Sequence, residues 1–272
     1  MVFSDAQYDS ITRVMCSAIG AFTATTVVHG FDVIRISQQT NIIPQYTFKY
    51  LYRGYIPGLI RQMTYSVPNM VMFSEMITRY KDNHNAEPPL LYKTGFGAIS
   101  GAIGGFAGTP SEVLLIRAIN PTIPTMNTVA HIQTVYNLKG INGFFRGAYA
   151  STTRSALFNS IRLSAYSDSK MRIQQAYPSL EGTSQLHFIA ALFGTSLGIF
   201  ISNPVDYIKS QLQTPNNSKK MVEIVQHTYS VNGIKGFYKG MVASLCKSNP
   251  HSVISFVVIE RLTRIFTGKD AI

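Results

Sequence analysis

Three acids, Asp32, Glu112 and Asp206, stand at the ends of long charge-free stretches, and two of them are followed three residues later by a base. In Pro204-Val-Asp206-Tyr-Ile-Lys209 the acid and the base share one face of a helix. Gly30-Phe-Asp32-Val-Ile-Arg35 keeps that spacing with Gly before the acid, and Pro110-Ser-Glu112-Val-Leu-Leu115 keeps it with Leu at the basic position. A proline inside a helix removes a hydrogen bond and kinks it. Three kinked helices with such endings can converge at one end of a bundle, where the acid of one meets the base of the next. The chemistry is reversible ion pairing. Desolvation offsets much of the attraction in such a ring, so it adds little net stability and can open without a large energy change. Catalysis has no matching constellation. His29, His187 and His251 are not at ligand spacing, and Cys16 and Cys246 are too few for a zinc site or a disulfide scaffold.

A second set of charges reveals a repeat. Arg61, Arg154 and Lys247 are separated by a constant 93 residues, as are Gly54, Gly147 and Gly240, the last two in GFFRG and GFYKG. Gly140 with Gly233 and Gly143 with Gly236 keep the same step. Tandem repetition of one unit explains this. The expected organisation is one domain, 1–272, of three repeats at about 1–86, 87–179 and 180–272. The first is shortened, since Asp32 to Arg61 is 29 residues against 42 and 41 in the other two. The missing residues lie in a connector that in the later units can form a short helix, near Asn127–Asn137 and Lys219–Ser230. In the first unit Asn41–Phe48 leaves room for little beyond a turn.

The elements that carry these residues follow from composition. The 272 residues hold 24 Lys and Arg against 13 Asp and Glu, a net charge of +11, yet only 14% are charged and 46% are apolar. That is too apolar for disorder and poorly charged for a nucleic-acid binder. A basic, weakly charged chain suits a membrane protein that handles anions. Val14–Phe31, Thr94–Ser111 and Gly182–Val205 are free of charge over 18, 18 and 24 residues, and Ile56–Arg79, Ala148–Lys170 and Met241–Arg264 are long and apolar but interrupted by bases. A spanning helix takes about 20 residues, and a charge within one must face a cavity or a partner. Six spans follow, with both termini on one side, and no leader sequence is evident. Gly97, Gly101 and Gly105, like Gly194 and Gly198, are spaced for close helix packing rather than phosphate binding.

The triplicated Pro-x-[Asp/Glu]-x-x-[Lys/Arg] pattern over nearly the whole chain resembles the mitochondrial carrier family. The resemblance implies an all-α membrane protein of six transmembrane helices, in three tandem two-helix repeats with pseudo-threefold symmetry around a central cavity. It implies a matrix gate of Asp32, Arg35, Glu112, Asp206 and Lys209, braced by Gln39 and Gln213. Leu115 and Ile119 leave the second unit without base or brace. It places substrate binding on Arg61, Arg154 and Lys247, with Ser155 beside them. A cytosolic gate would retain only Lys170 and Glu260, because Ser74, Ile77, Ser167 and Thr263 occupy its other charged positions.

Three passages, 108–117, 159–170 and 249–256, look most like the 2-oxoglutarate/malate carriers. That branch implies obligatory exchange of small dianions by alternating access, with no chemistry and no cofactor. It usually has a second Arg on the second span, where Asn69 stands here. One repeat further on, at 162, the chain has Arg162, so the cation is shifted round the ring. The expected substrate is a dicarboxylate in a rotated pose, or another small anion such as phosphate or a phosphorylated three-carbon compound. The implied setting is the inner membrane of a mitochondrion or related organelle, with both termini in the intermembrane space. The implied partners are small anions and membrane lipid, cardiolipin included. The protein is expected to be monomeric and not to bind nucleic acid.

Overall fold

A computed structural model describes residues 5–121, 123, 126–180, 183–215 and 220–267. Six long helices build the molecule: α1 (Asp5–Gln39), α3 (Tyr55–His84), α4 (Leu90–Ile119), α6 (Ala148–Ala176), α7 (Ser184–Gln213) and α9 (Met241–Thr267). Three short ones lie between members of a pair: α2 (Phe48–Leu51), α5 (Thr128–Lys139) and α8 (Met221–Asn232). No strand occurs among the described residues. Each long helix packs on the next, and α9 packs back on α1, so the ring closes. The chain alternates direction, so the C-terminal ends of α1, α4 and α7 meet at the end opposite the start of α1 and the end of α9.

Among the described residues, α4 and α7 are the helices long and apolar enough to cross a membrane by length and composition alone. The distribution of side chains explains why. On α4 the outward positions are Ile99, Ile103 and Phe106, while Gly97, Ser100, Gly101, Gly104 and Gly105 are buried. Phe22 and Phe31 of α1 and Phe193 and Phe200 of α7 are also exposed, whereas Asp32, Arg35, Glu112 and Asp206 are buried. Apolar surface outside and charge inside suits a lipid-facing ring around a polar centre. The helices overrun the charge-free stretches for the same reason. Asp32, Glu112 and Asp206 end the runs in sequence but continue their helices, because their charges are met inside the bundle.

Helix pairs approach closely where side chains are absent. A Cβ on Gly101 would stand 2.7 Å from the Ser155 carbonyl oxygen, and one on Gly105 2.9 Å from that of Ser151. These glycines let α4 lie against α6. The phased glycines have another role. Gly54, Gly147 and Gly240 precede α3, α6 and α9 with φ of +67°, +74° and +80°, a left-handed turn that favours glycine. Each abuts the end of a neighbouring helix, Gly147 against Gln213 and Gly240 against Gln39. The repeated glycines therefore position the bundle's closed end.

Gly101→Ala should destabilise the protein by about 1–3 kcal/mol, since backbone must move to admit the methyl group. Gly95→Ala, with nothing within 4 Å of its Cβ, should be neutral or gain up to about 1 kcal/mol. Thermal unfolding in mild detergent should rank Gly95→Ala at or above the parent and Gly101→Ala well below it.

Candidate functional site

Where α1, α4 and α7 converge, their acids and bases form one buried network. Arg35 donates from Nη1 to Asp206 Oδ2 at 2.7 Å and from Nε to Asp32 Oδ1 at 3.0 Å. Lys209 Nζ donates to Glu112 Oε1 at 2.9 Å and lies 3.2 Å from Asp206 Oδ1. Both expected braces engage. Gln39 Nε2 donates to Asp206 Oδ2 at 3.1 Å, and its Oε1 accepts from Ser210 Oγ at 2.8 Å. Gln213 Nε2 donates to Ser151 Oγ at 3.0 Å, and Ser151 donates on to Glu112 Oε2 at 3.2 Å. Asp32, Asp206 and Glu112 are only 3%, 2% and 7% exposed. At that depth an uncompensated charge is very costly, so pairing is obligatory.

The three seams of this closure differ. The α1–α7 seam is Arg35 with Asp206, and the α7–α4 seam is Lys209 with Glu112. The α1–α4 seam has no ion pair. Val33, Ile36 and Tyr50 pack there against Leu115, Ile116 and Ile119 in the apolar core of the molecule. The two positions that lack base and brace, Leu115 and Ile119, are both fully buried. Apolar packing therefore replaces an ion pair and a hydrogen bond in one third of the ring.

Asp32, with no base opposite on α4, draws its partners from elsewhere. Lys247 of α9 approaches its Oδ2 at 2.8 Å and Arg61 of α3 at 3.2 Å. Arg154 of α6 approaches Asp206 Oδ1 at 3.4 Å. The three phased cations thus reach the closed end while also lining a central cavity of about 220 Å³. Arg162 lines the same cavity and has no carboxylate partner among the described residues. It donates to Asn159 Oδ1 at 3.3 Å, and its Nε is buried without a hydrogen-bond partner. The Phe158 ring lies between it and Arg154, with guanidinium carbons 5.9 and 4.9 Å from the ring centroid, inside cation–π range. Six cations (Arg35, Arg61, Arg154, Arg162, Lys209, Lys247) therefore surround three carboxylates, leaving a surplus of three positive charges.

Asn69 lines the cavity as expected of a binding position. Ser155 does not. It is buried against α4, its Oγ 2.7 Å from where a Gly105 Cβ would stand. The reason is helix geometry: the residue after Arg154 points about 100° away round α6. Ser74 is exposed and Lys170 half-buried, and no ion pair of Lys170 occurs among the described residues. The side chain of Glu260 lies outside the described residues. Several cavity residues were not singled out from sequence. Asn159 holds Arg162 and donates to Tyr65 Oη at 2.8 Å, and His251 meets Thr25 Oγ1 at 3.3 Å at the cavity wall. Asn159 lies one helical turn from Ser155 and three residues before Arg162, a spacing that signals a shared helix face only once the cavity side is known.

Comparison with known proteins agrees with this architecture. The family model described as "Mitochondrial carrier protein" matches residues 86–177 and 181–270. The chain is 26% identical over 226 residues to "Mitochondrial substrate carrier family protein ucpB" of Dictyostelium discoideum, covering 79% of this chain and 76% of that one. It is 24% identical over 268 residues to "Mitochondrial citrate transporter F" of Aspergillus niger, with 89% and 86% covered. It is 25% identical over 241 residues to the mouse "Mitochondrial 2-oxoglutarate/malate carrier protein", with 84% and 76% covered.

The network's hub gives a stability prediction. Asp206 is shared by Arg35, Lys209, Gln39 and Arg154. Asp206→Asn leaves buried cations short of a counter-charge and should cost about 3–5 kcal/mol. Lys170→Ala should stay within about 0.5 kcal/mol of the parent. Thermal unfolding of the two variants side by side should separate them, and equal stabilities would refute the hub role.

Proposed function

The chain belongs to the mitochondrial carrier family, and we propose that it exchanges small dianions of the dicarboxylate kind by alternating access at the central cavity. Family membership makes it a transporter of the mitochondrial inner membrane. The observation that carries the substrate reading is the cavity's surplus of cations, with Arg162 free of any carboxylate. Its guanidinium has two edges for planar oxyanions, and Arg61 and Arg154 offer the same geometry, while Lys247 is a point charge. The likeness to 2-oxoglutarate/malate carriers supports dicarboxylates.

The same cations link binding to the gate. Arg61 and Lys247 neutralise Asp32, and Arg154 neutralises Asp206. An entering anion competes for all three. When it takes them, the gate is left with three carboxylates and two bases, Arg35 and Lys209, and the closed state loses its charge balance. Anion binding thus favours opening because the anion interacts more strongly with the state in which those cations are released. The closed end faces the matrix in this scheme, the termini lie in the intermembrane space, and one chain in lipid suffices.

The charge balance also favours a second reading. A surplus of three is matched more closely by a phosphorylated three-carbon acid than by a dianion. Thermal unfolding in detergent against 2-oxoglutarate, malate, phosphate, dihydroxyacetone phosphate and phosphoenolpyruvate separates the two, since a ligand of the folded state raises its stability. Stabilisation by 2-oxoglutarate and malate alone supports dicarboxylate exchange, and stabilisation by the phosphorylated compounds alone supports the second reading. In proteoliposomes Arg162→Glu should abolish exchange of whichever anion binds. Near-parental exchange by that variant, shown to be folded, would sink the assignment.

A further inference from the structure

The molecule gathers cations without a carboxylate in a second place, outside the central cavity. Near the closed end a cavity of about 50 Å³ is lined by Arg117, Lys139 and Arg146, together with Val113, Val135 and Gln213. One water needs about 10–15 Å³ by this measure, so the space suits one small oxyanion group. No acid lines it. None of the three cations makes an ion pair among the described residues, and Arg117 Nε is buried with no hydrogen-bond partner.

A cation in the last turn of α4 is favourable by itself, because the helix C-terminus is partially negative. That accounts for Arg117 but not for two further cations lining the same cavity. Lys139 lies outside the spanning segments, and partial burial together with Arg146 and Arg117 pushes its ammonium below the usual lysine range. The three therefore repel one another and lack an internal counter-ion.

We propose that Arg117, Lys139 and Arg146 form a second anion site that takes one phosphate- or carboxylate-type oxyanion group. Two guanidinium forks grip paired oxygens, and Lys139 supplies the third charge from the exposed side of α5. The group can belong to a soluble anion or to a phospholipid. Leu138, beside Lys139, lines the cavity and is exposed, and offers apolar surface to an acyl chain. An occupant also touches Gln213, whose hydrogen bond through Ser151 holds Glu112 in the α4–α7 seam. The site therefore favours the closed state of that seam.

The test is thermal unfolding of the full chain in detergent with inorganic phosphate, or with phosphatidic acid against phosphatidylcholine in mixed micelles. Phosphate or phosphatidic acid should raise the Tm of the parent and of Arg162→Glu alike, and Lys139→Gln should lose most of that rise. Lys139→Glu supplies its own carboxylate beside Arg117, so it should unfold above the parent without added anion and respond to neither probe. Where the rise survives Arg162→Glu and is lost in Lys139→Gln, a rise with phosphate alone assigns the site to a soluble anion, and a rise with phosphatidic acid but not phosphatidylcholine assigns it to lipid; either supports the site. A response lost in Arg162→Glu and kept in Lys139→Gln would locate the anion in the central cavity and overturn the proposal. So would a parent that responds to neither probe.

Discussion

Asp32 and Asp206 are each shared between bases of the closure and cations of the cavity, and the rest of the structure depends on that sharing. A buried carboxylate must be neutralised where it stands. Asp32 would take a base from α4, but the position offers Leu115. Arg35, from its own helix, already serves Asp206 as well. The remaining demand is met by Arg61 and Lys247 from the helices that line the cavity. One missing base in the closure thereby ties the closure to the central cavity, and an anion that competed for those cations would alter both.

The pattern of long helices was legible in the sequence because two periodic facts were redundant: the 93-residue step and the acid that ends each charge-free run. The ends of the helices were not. A charge stops a hydropathy window, yet Asp32, Glu112 and Asp206 sit well inside α1, α4 and α7 because their counter-charges come from other helices. Short-range spacing cannot report a partner 171 residues away in the chain. The same limit applies to Ser151 and Ser210. Both are buried links in the bracing of Glu112 and Gln39, but a serine on a helix has no spacing signature.

The candidate site divides along similar lines. Residues set by the repeat, Arg61, Arg154 and Lys247, meet as their phase requires. The shifted cation, Arg162, also lies on the cavity wall. Ser155 follows Arg154 in sequence but not on the same face of the helix, and the close approach allowed by Gly105 takes that face of α6 for packing. Leu115 and Ile119 read in sequence as losses from the closure. In the folded chain they are gains of another kind, since they complete the apolar cluster with Val33, Ile36 and Tyr50.

That substitution makes the closure unequal in what can disturb it. An entering anion acts through charge, and the α1–α4 seam has none to surrender. Both ionic seams include α7, through Asp206 to Arg35 and through Lys209 to Glu112. The carboxylate stripped when Arg154 turns to an anion is Asp206, again on α7. In the proposed exchange, competition for cations would act on the two ionic seams, both of which include α7, while apolar contact would keep α1 and α4 together even as Asp32 loses Arg61 and Lys247. Hydrophobic packing is non-directional and scales with buried area, so an anion's charge does not compete for it as it competes for the partners of the ion pairs. In the proposed exchange, a ring with one apolar seam would therefore open from α7, on the side where the charges are.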